Sequence, residues 1–293
     1  MSCSIGLRTV LLAVLIFVLA APSSFASLIA VTGSAADVAG ITVVRDTFRT
    51  NLGGGTTAGA NGLFNDGTLQ RREINWDGVP GAKSAPNSLN PDFFNVNSPR
   101  GVVFTTPGIG FQVSGAAGDV GAGQPAPPNF GNIDASYSST FSPFSAQRLF
   151  TVIGSNQMDV LFFVPGTSTP GATKGFGVIF SDVDVPGTTA LQFFDINGVS
   201  LGAFAASPQS SGFSFLGAFF NDGTTPIARV RITLGNTALG AGVTDNGTTR
   251  DLVVMDDFLY GNPVAAASVP EPATLGSLTL ALTALAVLRK RRT

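Results

Sequence analysis

Gly175-Phe176-Gly177-Val178-Ile179-Phe180-Ser181-Asp182-Val183-Asp184 is the stretch that settles the fold class. Phe176, Val178 and Phe180 alternate with Gly177, Ile179 and Ser181, the period of two that sends successive side chains to opposite faces of a strand. The residues after it keep this period. Ala190 to Asp195 and Val199 to Phe204 flank Asn197-Gly198, a pair that tolerates the positive φ angles of a tight hairpin turn. Phe213 to Phe220 is a further strand, closed by Asn221-Asp222-Gly223. In Pro226 to Leu234, Ala228, Val230, Ile232 and Leu234 alternate with Arg229, Arg231 and Thr233, as in a strand with one face buried and one in water. Asp251 to Tyr260 closes the series.

Upstream the signals are shorter. Leu28 to Thr32 and Ile41 to Phe48 read as the first strands, followed by a Gly-rich loop from Asn51 to Gly62. Asp-Gly turns follow in Phe64-Asn65-Asp66-Gly67-Thr68 and in Arg71 to Gly78. Arg71 and Arg72 read as a solvated edge. Gly101 to Thr105 and Gly110 to Val113 read as two short strands across Pro107-Gly108. Phe-Asn-Asp-Gly-Thr recurs at 220–224, the same turn chemistry used twice rather than a duplicated half-domain. Residues 114–147 are rich in Gly, Ala, Pro and Ser; they read as a long loop within one domain, or alternatively as a subdomain boundary. No segment outside the two termini shows a helical period. The expected fold is all-β, an antiparallel β-sandwich over residues 27–268, with an N-terminal signal helix and a C-terminal transmembrane helix.

Composition narrows the chemistry. The chain has 36 Gly, 18 Pro and 24 Phe, and 12% charged residues, which favours short strands and turns. It has no histidine, and its one cysteine is Cys3. Ser-His-Asp and Cys-His catalysis and His-ligated metals are therefore excluded. No phosphate-binding loop or dinucleotide fingerprint occurs. Leaving out Arg8, the four basic tail residues and Glu271 takes the net charge from −2 to about −6, which argues against nucleic acid.

The two ends carry addresses. Residues 1–26 have the parts of a secretory signal: Arg8, an apolar run Val10 to Ala21, and the small-x-small site Ser24-Phe25-Ala26. Its expected handlers are the Sec translocon and signal peptidase, with the mature chain starting at Ser27; an uncleaved anchor is the alternative. At the other end, residues 269–293 hold Pro270-Glu271-Pro272, an uncharged run from Ala273 to Leu288, and Arg289, Lys290, Arg291 and Arg292. The run is about 24 Å long as a helix, short for a bilayer span, and snorkelling basic side chains can supply the rest. The basic end is expected to stay cytoplasmic. A generic tail anchor is the plainer alternative.

This order of triplet, apolar run and basic end resembles the PEP-CTERM sorting signal of Gram-negative bacteria that make exopolysaccharide. The resemblance covers about 25 residues. It implies recognition of Pro270, Glu271 and Pro272 by an exosortase-type enzyme, after transient anchoring in the inner membrane. The segment is also named after the C-terminus of an ice-binding protein, which says nothing about the body. A second, short resemblance concerns the last strand: apolar residues, Asp256-Asp257, then apolar residues look like the final strand of jelly-roll carbohydrate-binding modules, where structural Ca²⁺ is held. It implies a jelly-roll body.

Few residues could carry chemistry. Asp182 and Asp184 share a strand face, and Asp256 falls, on simple alternation, on the face of Val254 and Phe258. Asp182, Asp184, Asp256 and Asp257 are candidate Ca²⁺ ligands; the alternative is that loop N–H groups, or Arg229 or Arg231, satisfy them. Trp76, with Glu73, Asn75 and Asp77, is a candidate glycan contact, the alternative being a core tryptophan. Glu73 paired with an Asp is the one route to a glycoside hydrolase. The expected function is a non-enzymatic protein of the cell surface or extracellular matrix, structural or adhesive, with polysaccharide as a candidate ligand. A surface glycan hydrolase and a purely structural biofilm component are the rivals.

Overall fold

The computed structural model describes residues 27–53, 71–116 and 127–266, and the backbone of 120–121 and 124–125. The signal segment 1–26, residues 64–68 with the first Phe-Asn-Asp-Gly-Thr, most of the Gly-rich loop, and the tail with Pro270, Glu271, Pro272, Arg289, Lys290, Arg291 and Arg292 lie outside the described residues. In chain order the strands are β1 (Leu28–Ala35), β2 (Arg71–Ile74), β3 (Val102–Thr105), β4 (Gly110–Val113), β5 (Val120–Gly121), β6 (Gln124–Pro125), β7 (Phe150–Ile153), β8 (Gln157–Phe162), β9 (Gly171–Ala172), β10 (Gly175–Val183), β11 (Ala190–Phe194), β12 (Ser200–Ala205), β13 (Gln209–Phe220), β14 (Arg229–Thr233), β15 (Val254–Gly261) and β16 (Val264–Ala265). A helix, α1 (Val38–Leu52), follows β1.

Two antiparallel sheets make the body. One has seven strands in the order β1-β13-β10-β15-β7-β4, with β2 also paired to β15. The other has five, in the order β12-β11-β14-β8-β3. Their inner faces share one core: Phe176, Val178, Leu216, Met255 and Phe258 from the first sheet meet Phe104, Val160, Phe162, Phe193 and Ile232 from the second. This is the expected β-sandwich. The Asn197-Gly198 turn joins β11 to β12 as the sequence indicates, with Gly198 at φ 78°. Pro107-Gly108 does something else. It carries the chain from one sheet to the other, since β3 pairs with β8 while β4 pairs with β7.

Residues 41–48 are not a strand. They lie within α1, a helix of 15 residues capped by Asp37, whose Oδ1 accepts from Gly40 N at 2.8 Å, and closed by Gly53 at φ 84°. Its β-branched residues disfavour a helix, which is why the stretch reads as a strand. The stripe Ile41, Val44, Phe48 and Leu52 nevertheless has helical spacing, and it packs on the outer face of the larger sheet against Ile179, Phe213, Phe215, Phe219 and Leu259. Burial of that stripe outweighs the propensity cost. Further along the same face, Phe130, Tyr137 and Phe141 of the 114–147 segment pack with Leu149, Leu252 and Val254.

The helix fits because two glycines make room for it. Gly177 and Gly217 are register partners on β10 and β13. A Cβ on Gly217 would lie 2.8 Å from Phe48 Cε2, and one on Gly177 2.8 Å from Phe48 Cε1. Gly217→Ala should therefore destabilise by about 1–3 kcal/mol through overpacking, read from urea denaturation. Gly78→Ala is the control, because nothing lies within 4 Å of its Cβ position. Equal stability of the two variants would show that Phe48 moves aside freely.

Candidate functional site

β10 ends in a bulge. Its pairing with β13 slips between Ser181 and Val183, and Asp182 between them sits at φ 67°. A non-glycine residue rarely takes that angle without compensation. Here Ser211 N donates to Asp182 Oδ1 at 2.7 Å. The bulge brings Asp182 to Asp184 and to Asp245 of the 245–251 loop, with one carboxylate oxygen from each lying within 4.8 Å of the others. Asp245 is held by its own loop: Oδ1 accepts from Gly247 N at 2.7 Å and Oδ2 from Leu252 N at 2.5 Å. Gly247, at φ 66°, lies against Asp184; a Cβ there would be 3.4 Å from Asp184 Oδ2. Asp251 sits behind them, accepting from Asp184 N at 3.0 Å, from Val185 N at 3.4 Å and from the Thr188 hydroxyl.

None of these four carboxylates has a Lys or Arg partner among the described residues. Burial pushes Asp182 up to about 7, and the neighbouring Asp184, Asp245 and Asp251 add to the rise. Burial also raises Asp245 and Asp251. Asp184 Oδ1 is buried and has no hydrogen-bond partner. Carboxylates this close need a proton or a cation between them. Three hard oxygen donors suit Ca²⁺, with the remaining positions of its shell left to water or carbonyl groups. Asp245 was missed from sequence because Asp beside Asn and Gly reads as turn chemistry, and Asp251 because it reads as the first residue of the closing strand. The available signal was two aspartates bracketing one short loop.

Asp256 and Asp257 do not join this cluster. Phe258 pairs with Val178 and Met255 with Phe180, so both aspartates oppose Ile179 across a second bulge. The bulge breaks the alternation, and Val254 and Phe258 fall in different core clusters, which overturns the shared face expected for them. Asp256 Oδ2 accepts from Phe144 N at 2.6 Å and Ser145 N at 3.1 Å. Ser145 Oγ lies 3.0 Å from Asp256 Oδ1 and 2.9 Å from Asp257 Oδ1. A hydroxyl has one proton to donate, so a proton on one carboxyl completes the set. Burial first, and the Asp257 charge second, push Asp256 well above the usual carboxylate range. Asp257 faces Arg45 at 3.8 Å. Loop N–H groups thus satisfy Asp256, and Arg229 and Arg231 are elsewhere, both on Asp159.

Trp76 is in the core. It is 1% exposed, stacks on Phe150 with ring centroids 4.0 Å apart, and donates from Nε1 to Asp256 O at 2.9 Å. No ring face is left for a sugar. Glu73 is clamped by Arg49, at 2.5 Å from Nη2, and by Arg71, at 2.6 Å from Nε. Arg71 and Arg72 are fully buried rather than a solvated edge: Arg71 lies on Glu73 and the Gly53 carbonyl, and Arg72 on Asn262. A depression of about 380 Å³ beside them is lined by Asn75, Trp76, Phe93, Phe94, Asn97 and Arg100 among others, and by no carboxylate.

The remaining functional element is the tail. Residues 268–292 match the family model of the PEP-CTERM protein-sorting motif. The tail is a sorting signal. The match takes in Pro270, Glu271, Pro272, the apolar run and the basic residues, and a PEP-CTERM signal implies export and processing by an exosortase-type partner. None of the curated proteins matches the chain. Among the described residues no helix is long and apolar enough to cross a membrane.

Proposed function

We propose that this chain is a non-enzymatic structural or adhesive protein of a Gram-negative bacterium, exported through the Sec route, held briefly in the inner membrane by residues 273–288 and released to the cell surface or matrix. The observation that carries the export and sorting is the PEP-CTERM motif at 268–292. The sandwich reads as a jelly roll. Its support is the strand order β13-β10-β15-β7 over β12-β11-β14-β8, which interleaves the sheets as successive Greek keys do. Polysaccharide remains its proposed ligand class. The clamp on Glu73 weighs against the hydrolase, since both of its carboxylate oxygens are engaged by guanidiniums rather than turned to a cleft. Glu271→Ala tests the proposal: the apolar run is untouched, so membrane insertion should persist while processing by an exosortase-bearing host stops. Unchanged processing and surface display would reduce the triplet to a spacer.

The acidic cluster is the proposed Ca²⁺ site, with Asp182, Asp184 and Asp245 as ligands. Asp182 keeps its proton in the folded chain up to about pH 7 and loses it near 3.8 when unfolded. Its contribution is therefore fully present below about pH 4 and is lost as pH rises toward 7. Ca²⁺ replaces that proton. Added Ca²⁺ should raise Tm at pH 8 by mass action and much less at pH 5, where protons compete. Asp182→Asn should remove its own share of the pH slope, leaving that of Asp256, and should abolish the Ca²⁺ effect. A Tm at pH 8 that ignores both Ca²⁺ and chelator would remove the metal from the proposal.

A further inference from the structure

The first and last described strands leave the sandwich at the same end. Leu28 pairs with Phe220, and Phe220 N donates to Lys174 O at 2.8 Å. Val264 and Ala265 pair with Ala172 and Gly171, and Ala266 N donates to Pro170 O at 3.1 Å. Both termini thus converge on residues 170–174 and 220–227. The acidic cluster is at the other end, because β10 runs from Gly175 beside Phe219 to Val183, about 25 Å away at the usual rise of a strand.

Three exposed aliphatic side chains gather at the end where the termini leave. Ile196, Val199 and Val264 are exposed there, at 40%, 58% and 42%. Ile196 and Ala266 help line a hollow of about 410 Å³, floored by Ala172, Leu201 and Pro226. Ala266 is the last described residue before the tail, and residues 267–272 span at most about 20 Å to the apolar run at Ala273. Leu28, two residues past the expected cleavage site, is on this same end.

We infer that this end is a lipid-contacting face, on which Ile196, Val199 and Val264 rest against the bilayer surface while the tail is inserted. The inference rests on the proposed membrane stage of the tail. Three aliphatic side chains would not hold a soluble protein to a membrane. A tether this short makes the contact intramolecular, so a weak surface suffices. The occupant is a neutral headgroup layer. Asp195 and Asp222 flank the hollow, their carboxylates accepting from Asn197 N and Val199 N at 2.9 and 2.8 Å and from Thr224 N at 3.0 Å. Their charges disfavour an anionic surface.

The mature chain starting at Ser27, which has no cysteine of its own, is inserted into phosphatidylcholine vesicles carrying shallow doxyl-labelled lipid, with an environment-sensitive fluorophore on Val199→Cys or, separately, on Ile109→Cys. Ile109 is 86% exposed and hydrogen-bonds through its N–H to Ile153 O, beyond the Thr105 end of β3 and so at the far end of the sandwich. The expected result is quenching and a blue shift at 199 and neither at 109, both weakened when phosphatidylglycerol is included or when Ile196→Asp and Val264→Asp are added. Vesicle flotation of the unlabelled chain reports tail insertion independently. Flotation with equal responses at 199 and 109 would overturn the inference and leave the tail reading intact. Loss of flotation would overturn the tail reading and the inference with it. A response at 199 that appears only when a membrane protein from the host is co-reconstituted would assign the face to a protein partner and overturn the lipid.

Discussion

Trp76→Ala lowers the unfolding free energy by about 3–5 kcal/mol, the cost of emptying a large aromatic site in a packed core. Trp76 is the hub of the inter-sheet aromatic cluster: its ring stacks on Phe150 and meets Phe94 and Phe258 edge-on, with centroids 5.5 and 5.0 Å away. The indole N–H donates to Asp256 O, so truncation also leaves a buried acceptor short of a partner. β2 and the 80–100 segment then lose the anchor that ties them to β15. Trp76→Phe keeps part of the packing and loses the hydrogen bond, and should fall between the parent and Trp76→Ala. Circular dichroism in urea is the measurement, since the substitutions remove the only tryptophan fluorophore. A loss below about 1 kcal/mol for the alanine variant would place the indole in a collapsible, loosely packed site.

Asp256→Ala is the second large effect, about 3 kcal/mol, because it orphans the N–H groups of Phe144 and Ser145 together with the Ser145 hydroxyl. Asp256→Asn should cost much less. The asparagine oxygen still accepts from the loop, and its amide replaces the proton that burial and Asp257 force onto the acid. The pH dependence carries the same sign as that of Asp182. A carboxyl raised in the folded state adds stability below the unfolded value of 3.8 and loses it as pH rises. The asparagine variant should therefore be less pH-sensitive above pH 5 than the parent. Neither variant should change the response to Ca²⁺, because the pair is satisfied within the protein. An alanine variant as stable as the asparagine one would mean that water replaces the carboxyl without cost.

The strands legible in the sequence were those that obey strict alternation and end in obvious turns. β10, β11, β12, β13 and β14 all appear close to their observed bounds. β7 and β8 drew no assignment, although Phe150 and Val152, then Met158, Val160 and Phe162, alternate toward the core. They lie between stretches of Gly, Pro and Ser that read as loop. The helix was hidden because local propensity and tertiary burial point opposite ways at Ile41, Val43, Val44 and Thr47. Asp182 and Asp184 drew notice as a pair two apart on one strand, but Asp245, which lies with them, is about 60 residues on and only the fold brings it near. The face read for Asp256 failed for a physical reason of its own. A bulge adds one residue to one strand, and a period of two cannot register that.

β15 lies between β10 and β7 in the larger sheet, yet it is the last long strand to be made. A chain threaded across a membrane from its N-terminus cannot complete that sheet until Gly261 has emerged. Arg72 must wait for Asn262, its partner at 2.8 Å and 190 residues later. Such distant pairing makes folding slow, with two half-sheets and their apolar edges open meanwhile. The sorting tail follows a few residues behind β15, after the short β16. A pause of that tail in the bilayer would hold each unfinished molecule in place and apart from its neighbours while the central strand finds its slot. The address label would then also act as a folding clamp, and an exosortase would be cutting a sandwich that had been given time to close.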